Sequence, residues 1–367
     1  MKNKLHFLLK YHINNKPSNI VTKNSGFTLI ELLVAMILAV LVITPLLGFM
    51  INILDTDRKE QAKVNSEQEI QTAVDYIAQD LKQAIYIYDA KGIDAIKSKL
   101  PYANDAQKVP VLVFWSRQFE KEAIGGSFTG KNDSFVYSLV TYYLIQSNSN
   151  NNPNKTWSNQ FRIARFELKG GVRDLDDPYK SKSGSITDPD NFNYIKEPDK
   201  GFALFKVNDP TIKGTLEDKM NSWKQGETIT NSTYNLSNTA VLVDYIDASS
   251  INDSRGRLEH SELEPIDCTT VFDLDNIPSN QRDSKIAALR VPSVTGTHSY
   301  SSNRSLDNGS FYACVDIERV SAKVFLRGNA YARINNGDTD YNKNRQSYFP
   351  TASSQVKAKG LIGALKN

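Results

Sequence analysis

The chain has 367 residues, a mass of 41.2 kDa and a formal net charge of +3, enough length to bury a core without disulfides or metals. Lys2, Lys4, Lys10, Lys16 and Lys23 precede the first long apolar run with no acidic residue among them, and without these five the charge falls from +3 to −2. A weakly acidic body with scattered Lys and Arg lacks the basic patch that neutralises phosphates, so no nucleic acid is expected as a partner.

Residues Phe27 to Leu54, FTLIELLVAMILAVLVITPLLGFMINIL, form an apolar run of 28 residues. At about 1.5 Å rise per residue it is long enough to cross a hydrocarbon core of about 30 Å, and membrane lipid is its expected surrounding. The lysines before it place the extreme N-terminus in the cytoplasm and export the remainder. A secretory signal has a shorter apolar region followed by a small-residue cleavage site. Here the break falls before the apolar run, at Lys23-Asn24-Ser25-Gly26, and Glu31 stands inside the run. A carboxylate in hydrocarbon costs roughly 2.5 to 3.5 kcal/mol and so asks for a partner or a function.

The residues Ser25-Gly26-Phe27-Thr28-Leu29-Ile30-Glu31-Leu32-Leu33-Val34 resemble the prepilin signature of type IV pilins and type II secretion pseudopilins. The resemblance implies a prepilin peptidase that cuts after Gly26 and methylates the new amine of Phe27. It also implies that Glu31 pairs with the N-terminal ammonium of a neighbouring subunit during assembly on an inner-membrane platform. Pro45 lies within the run after Thr44. Proline removes a backbone donor, so a kink or local melting near Leu41 is expected, resembling the place where pilin helices unwind in filaments; a transmembrane proline satisfied by the Thr44 hydroxyl is the other reading.

Beyond the membrane run, Ile70, Val74, Ile77, Leu81 and Ile85 recur at helical spacing, with Asp75, Gln79, Asp80 and Lys82 on the opposite face. This predicts a helix continuing from the span and ending near Tyr88 to Gly92, where the glycine offers a stop. Ile77 to Ala84 is similar to the segment at this position in J-type minor pseudopilins. Strand composition then appears at Val109–Trp115, Ser134–Ile145, Phe161–Leu168, Phe202–Val207, Ala240–Ile246, Phe311–Ile317 and Ala322–Ile334. The Asn- and Ser-rich stretch Ser147–Asn154 and the stretch Asp174–Lys200 read as long exposed loops. The expected organisation is a leader at 1–26, a transmembrane helix at 27–54, its amphipathic continuation at 55–91 and an exported β-rich head at 92–367. The fold class is α+β and pilin-like, a long N-terminal helix packed on an antiparallel head. Phe311 to Asp316, with Ala322 to Ala330, resembles the C-terminal region of cyanobacterial pseudopilins linked to hormogonium polysaccharide secretion; taken from the residues alone, it reads as two adjoining strands with a glycine bulge at Gly328.

Gly125 to Asn132 matches GxxxxGK, but Asn132 replaces the Ser or Thr that holds magnesium, and the stretch joins two strands, so a hairpin is expected. Asp174, Asp176 and Asp177 lack EF-hand spacing and read as solvated charge, and no metal or cofactor is expected. Tyr142 and Tyr143 alternate within a strand and read as half core. Of the four histidines, His6 and His12 lie in the leader, leaving His260 and His298. With so few histidines and no GxSxG elbow, no enzyme is expected, a membrane-tethered periplasmic hydrolase being the contrary case. Cys268 and Cys314 stand outside any CxxC pair. Export would place both in an oxidising compartment, so a disulfide between them is the expectation, closing a loop of about 46 residues and pinning Pro278–Gly309 to the head, against two buried free thiols. The function this implies is that of a structural minor pseudopilin held in the inner membrane with a periplasmic head, assembling with other pseudopilins and supporting polysaccharide secretion, with polysaccharide contact; a minor type IV pilin for motility or adhesion is the alternative.

Overall fold

A computed structural model describes residues 26–126, 130–174, 177, 192–226, 234–251, 260–272, 279–293 and 306–360. The readings placed on the leader, on Asp176, on His298 and on much of Pro278–Gly309 fall outside these residues. The chain divides into two compact units, Met1–Asp57 and Arg58–Asn367.

Helix α1 (Leu29–Lys82) contains Pro45 and is the one described helix long and apolar enough to cross a membrane. In the first unit its apolar side chains, from Leu29 to Leu54, all stand exposed. In the second unit the helix buries a single stripe that includes Ile70, Val74, Ile77 and Leu81. The periodicity is that of one helical face pressed on a core.

The helix stops at Lys82, not near Gly92, and Ile85 belongs to a strand. Strand β1 (Ala84–Ile87) pairs antiparallel with β2 (Lys108–Gly126), Ala84 opposite Ser116 and Ile87 opposite Phe114. Two isoleucines and a tyrosine suit a pleated surface once a partner strand is present. Gly92 lies inside a second helix, α2 (Ala90–Ile96), capped by the Asp89 carboxylate, which accepts the Gly92 N–H at 2.8 Å. A Cβ on Gly92 would stand 2.8 Å from Tyr88 and 2.9 Å from Asn221, so glycine serves close approach there rather than a helix stop.

The remaining strands are β3 (Gly130–Gln146), β4 (Phe161–Lys169), β5 (Val172–Arg173), β6 (Tyr194–Lys196), β7 (Thr239–Ile246), β8 (Arg290–Val291), β9 (Phe311–Asp316), β10 (Ser321–Arg327) and β11 (Thr351–Lys357), with short helices α3 (Leu216–Asn221) and α4 (Ser279–Leu289). They make a five-stranded antiparallel sheet in the order β1-β2-β3-β4-β7, a four-stranded one in the order β11-β10-β9-β8, and a β5-β6 pair. The GxxxxGK stretch joins β2 to β3 as a hairpin, Gly126 opposite Gly130.

The five-stranded sheet is covered on both faces. On one, Tyr142 donates to Asp80 of α1 at 2.7 Å; on the other, Tyr143 donates to the Pro101 carbonyl at 2.8 Å, and both rings are fully buried rather than half buried. Arg165 Nε reaches the same Asp80 carboxylate at 2.8 Å. Burial and the neighbouring Asp80 charge push the Tyr142 phenol far above its ordinary value, so it stays a donor. Phe202–Val207 forms no strand; it lays Phe202 and Phe205 against Trp115, with centroids 6.1 and 5.0 Å away. Strand β10 ends at Arg327, short of Ile334. Gly328 is not a bulge but a contact point: a Cβ there would stand 2.8 Å from Cγ1 of Ile70 on α1.

Candidate functional site

The amino-terminal segment is built from Gly26 onward. Gly26 and Phe27 precede α1 and are exposed, and a Cβ on Gly26 would meet nothing within 4 Å. Packing among the described residues therefore does not require glycine at that position. Thr28 is the cap: its carbonyl accepts the N–H of Glu31 at 3.0 Å and that of Leu32 at 3.1 Å, and its hydroxyl accepts the Glu31 N–H at 3.3 Å. Capping orders the first turn immediately after Phe27. The Thr-x-x-Glu spacing of Thr28 and Glu31 is the sequence signal of this cap. Glu31 is exposed, and its carboxylate forms no hydrogen bond or ion pair with another described residue. It is the one charge in the apolar run from Phe27 to Leu54.

At Pro45 the helix remains continuous. The Thr44 hydroxyl donates to the Val40 carbonyl at 2.7 Å. Lacking an N–H, Pro45 deprives the carbonyl one residue later, that of Leu41, of its helical donor, so the Thr44 hydroxyl bonds beside the interrupted step and does not replace it.

Cys268, in a 3₁₀ turn (Cys268–Thr270), is joined by a disulfide to Cys314 of β9, with Cα atoms 5.4 Å apart. The bond lies against Phe272, Leu289 and Tyr312. No group of three or more His, Cys, Asp or Glu is gathered to hold a metal among the described residues. Asp177 donates its N–H to the Asp174 carboxylate at 3.3 Å, a turn contact.

Residues 21–47 match the family model described as the prokaryotic N-terminal methylation motif, and this span includes Gly26, Phe27, Glu31 and Pro45. The chain carries a type IV pilin-like amino terminus. None of the curated proteins and none of the solved structures matches the chain. In a pilin-like chain the motif implies processing by a prepilin peptidase and assembly with other pilins, a structural role rather than an enzymatic one. The apolar α1 segment is consistent with a single-pass anchor in the inner membrane.

Proposed function

We propose that this chain is a structural minor pseudopilin: the prepilin peptidase cuts between Gly26 and Phe27 and methylates Phe27, and Glu31 then docks the subunit by pairing with the N-terminal amine of a neighbour. The observation that carries this is Glu31 itself, a carboxylate with no partner among the described residues and the one charge in the apolar run from Phe27 to Leu54, the fifth residue after the proposed cleavage point and inside the matched motif. Its insertion cost is offset if an opposite charge meets it in the membrane. The large Arg58–Asn367 unit suits a tip or initiating subunit better than a repeating shaft. Support for polysaccharide as the exported cargo comes from the resemblance of the Phe311–Asp316 and Ala322–Ala330 block to pseudopilins of polysaccharide secretion.

The test is mass spectrometry of the chain from native membranes, combined with localisation and an export assay in a deletion strain. The reading expects a mature chain starting at methylated Phe27, located in short envelope structures, and a loss of exported polysaccharide on deletion. Assembled protein that retains Met1–Gly26 would refute the processing. Location on long surface fibres with normal export would favour a pilin of motility or adhesion.

A further inference from the structure

Within the Arg58–Asn367 unit an open groove of about 450 Å³ runs between α1 at Asn65–Ala73 and β7 at Val241–Asp244, with Trp157 on its lining. Asn65, Gln68 and Thr72 recur at i, i+3 and i+7 and so share one face of α1, beside the buried stripe. All three are exposed, and none has a side-chain hydrogen bond to another described residue. The two carboxylates of the groove are already engaged. Glu69 is paired with Arg333, and Asp244 accepts the Ser158 N–H at 2.8 Å and its hydroxyl at 2.7 Å. The polar lining groups with no partner among the described residues, Asn65, Gln68 and Thr72, are uncharged and able both to donate and to accept.

The main chain of Trp157 is held by the Asn-rich loop, which is ordered by its own amides. The buried Asn152 side chain accepts the backbone N–H of Trp157 at 3.1 Å and donates to its backbone carbonyl at 2.8 Å. The guanidinium of Arg162 stands 6.0 Å from the indole centroid and is itself fixed by Ser147 at 2.8 Å and by the Asn151 side chain at 3.1 Å. Trp115 and Trp223 are buried, whereas Trp157 keeps 37% of its surface exposed and is not part of the core.

A part-exposed indole on an anchored main chain, beside amides and a hydroxyl with no partner among the described residues, matches the chemistry of a sugar ring, whose C–H face packs on an aromatic plane while its hydroxyls donate and accept. The volume lies within the range of small-ligand clefts and suits one or two rings. The geometry points to a glycan-binding groove for a neutral hexose chain, with Trp157 as the stacking platform and Asn65, Gln68 and Thr72 as hydroxyl partners. A peptide strand added to β7 would use backbone groups and leave these helix side chains unmatched. The inference rests on the secretion reading only for the source of such a glycan.

The full-length chain in lipid nanodiscs, free of glycoside detergents whose sugar heads would compete, is titrated with mannotetraose and cellotetraose, with tetragalacturonate as the charged control. Tryptophan emission and calorimetric heat are read together. A neutral tetrasaccharide is expected to bind and shift the emission, and Trp157→Ala to weaken binding about tenfold or more, with Trp157→Phe restoring most of it. The surface pair Gln68→Ala with Thr72→Ala should weaken binding without altering the thermal melt. No heat from either neutral sugar, equal binding by Trp157→Ala, or preference for tetragalacturonate would each overturn the groove. Failed sugar binding with normal Phe27 processing and normal export would leave the pseudopilin reading intact, and the converse result would spare the groove.

Discussion

Arg327 and Asp247 meet as a buried ion pair, Nε to Oδ2 at 2.8 Å. Arg327 ends β10 in the four-stranded sheet and Asp247 follows β7 in the five-stranded one, so the pair fastens the two sheets together. Arg327 also donates to the carbonyls of Asn308 at 2.7 Å and Leu263 at 3.2 Å. Asp247 accepts the Ser249 N–H at 2.9 Å and the Ser249 hydroxyl. Both charges are thereby met by further hydrogen bonds, the condition under which a buried pair is tolerated.

Asp247→Ala leaves the guanidinium buried with no counter-charge. We expect a loss of about 3–5 kcal/mol, read as a lower denaturant midpoint. Replacing both partners, Arg327→Met with Asp247→Leu, should recover most of that loss; an equal loss in the double variant would show that the charge imbalance is not the cause.

Gly328→Ala places a methyl 2.8 Å from Cγ1 of Ile70, too close without a shift of α1 or of the chain after β10. Overpacking of this kind costs about 1–3 kcal/mol. Adding Ile70→Val should relieve part of it, and thermal melts of the single and double variants measure the coupling.

Breaking the Cys268–Cys314 bond opens a loop with a sequence separation of 46 residues. On chain-entropy grounds the loss is about 4 kcal/mol. Hydrogen exchange of Cys268→Ala with Cys314→Ala should rise around the Cys268 turn and β9 before it rises in α1. Uniform loosening would contradict a local clip.

Glu120 of β2 is held by Lys169 and, at 2.6 Å, by Lys196 of β6, and these hydrogen bonds lower its carboxyl pKa. A carboxylate lowered in the folded state stabilises it above the ordinary glutamate value of about 4.3, and that contribution is lost as pH falls through the lowered value. Both lysines are well exposed, so screening limits the effect to less than about 1 kcal/mol. Glu120→Gln should lower stability at neutral pH by that amount, less than about 1 kcal/mol, and leave it unchanged well below pH of about 4.3, so the acid limb of the curve flattens.

Glu31→Ala should still insert, since it removes a charge from the apolar run, and should join filaments about tenfold less well if an ion pair in the membrane is lost. Quantitative blotting of membrane and sheared filament fractions checks this. Equal incorporation would show the carboxylate to be incidental.

The sequence by itself determined the features that depend on adjacent residues. The apolar run with Glu31 inside it, the break at Gly26 and the Ile70–Leu81 stripe are readable because a helix turns local spacing into a face. Most strands were legible for the same reason, from β-branched and aromatic runs. The end of α1 was not. Ile77, Leu81 and Ile85 keep helical spacing, and Ala84–Ile87 becomes a strand because β2 offers a pairing edge at Phe114–Ser116. β11 escaped notice because its TASSQVK sequence is mostly exposed and takes its register from β10. Two cysteines in an exported chain supported an expected bond, but proximity waited on the Cys268 turn meeting β9. The place of Trp157 beside α1 and β7 is likewise set by tertiary contacts, among them those of Asn152 with its main chain. These are contacts between residues far apart in the chain, and their free energy depends on tertiary burial and pairing, to which no local pattern of residue types corresponds.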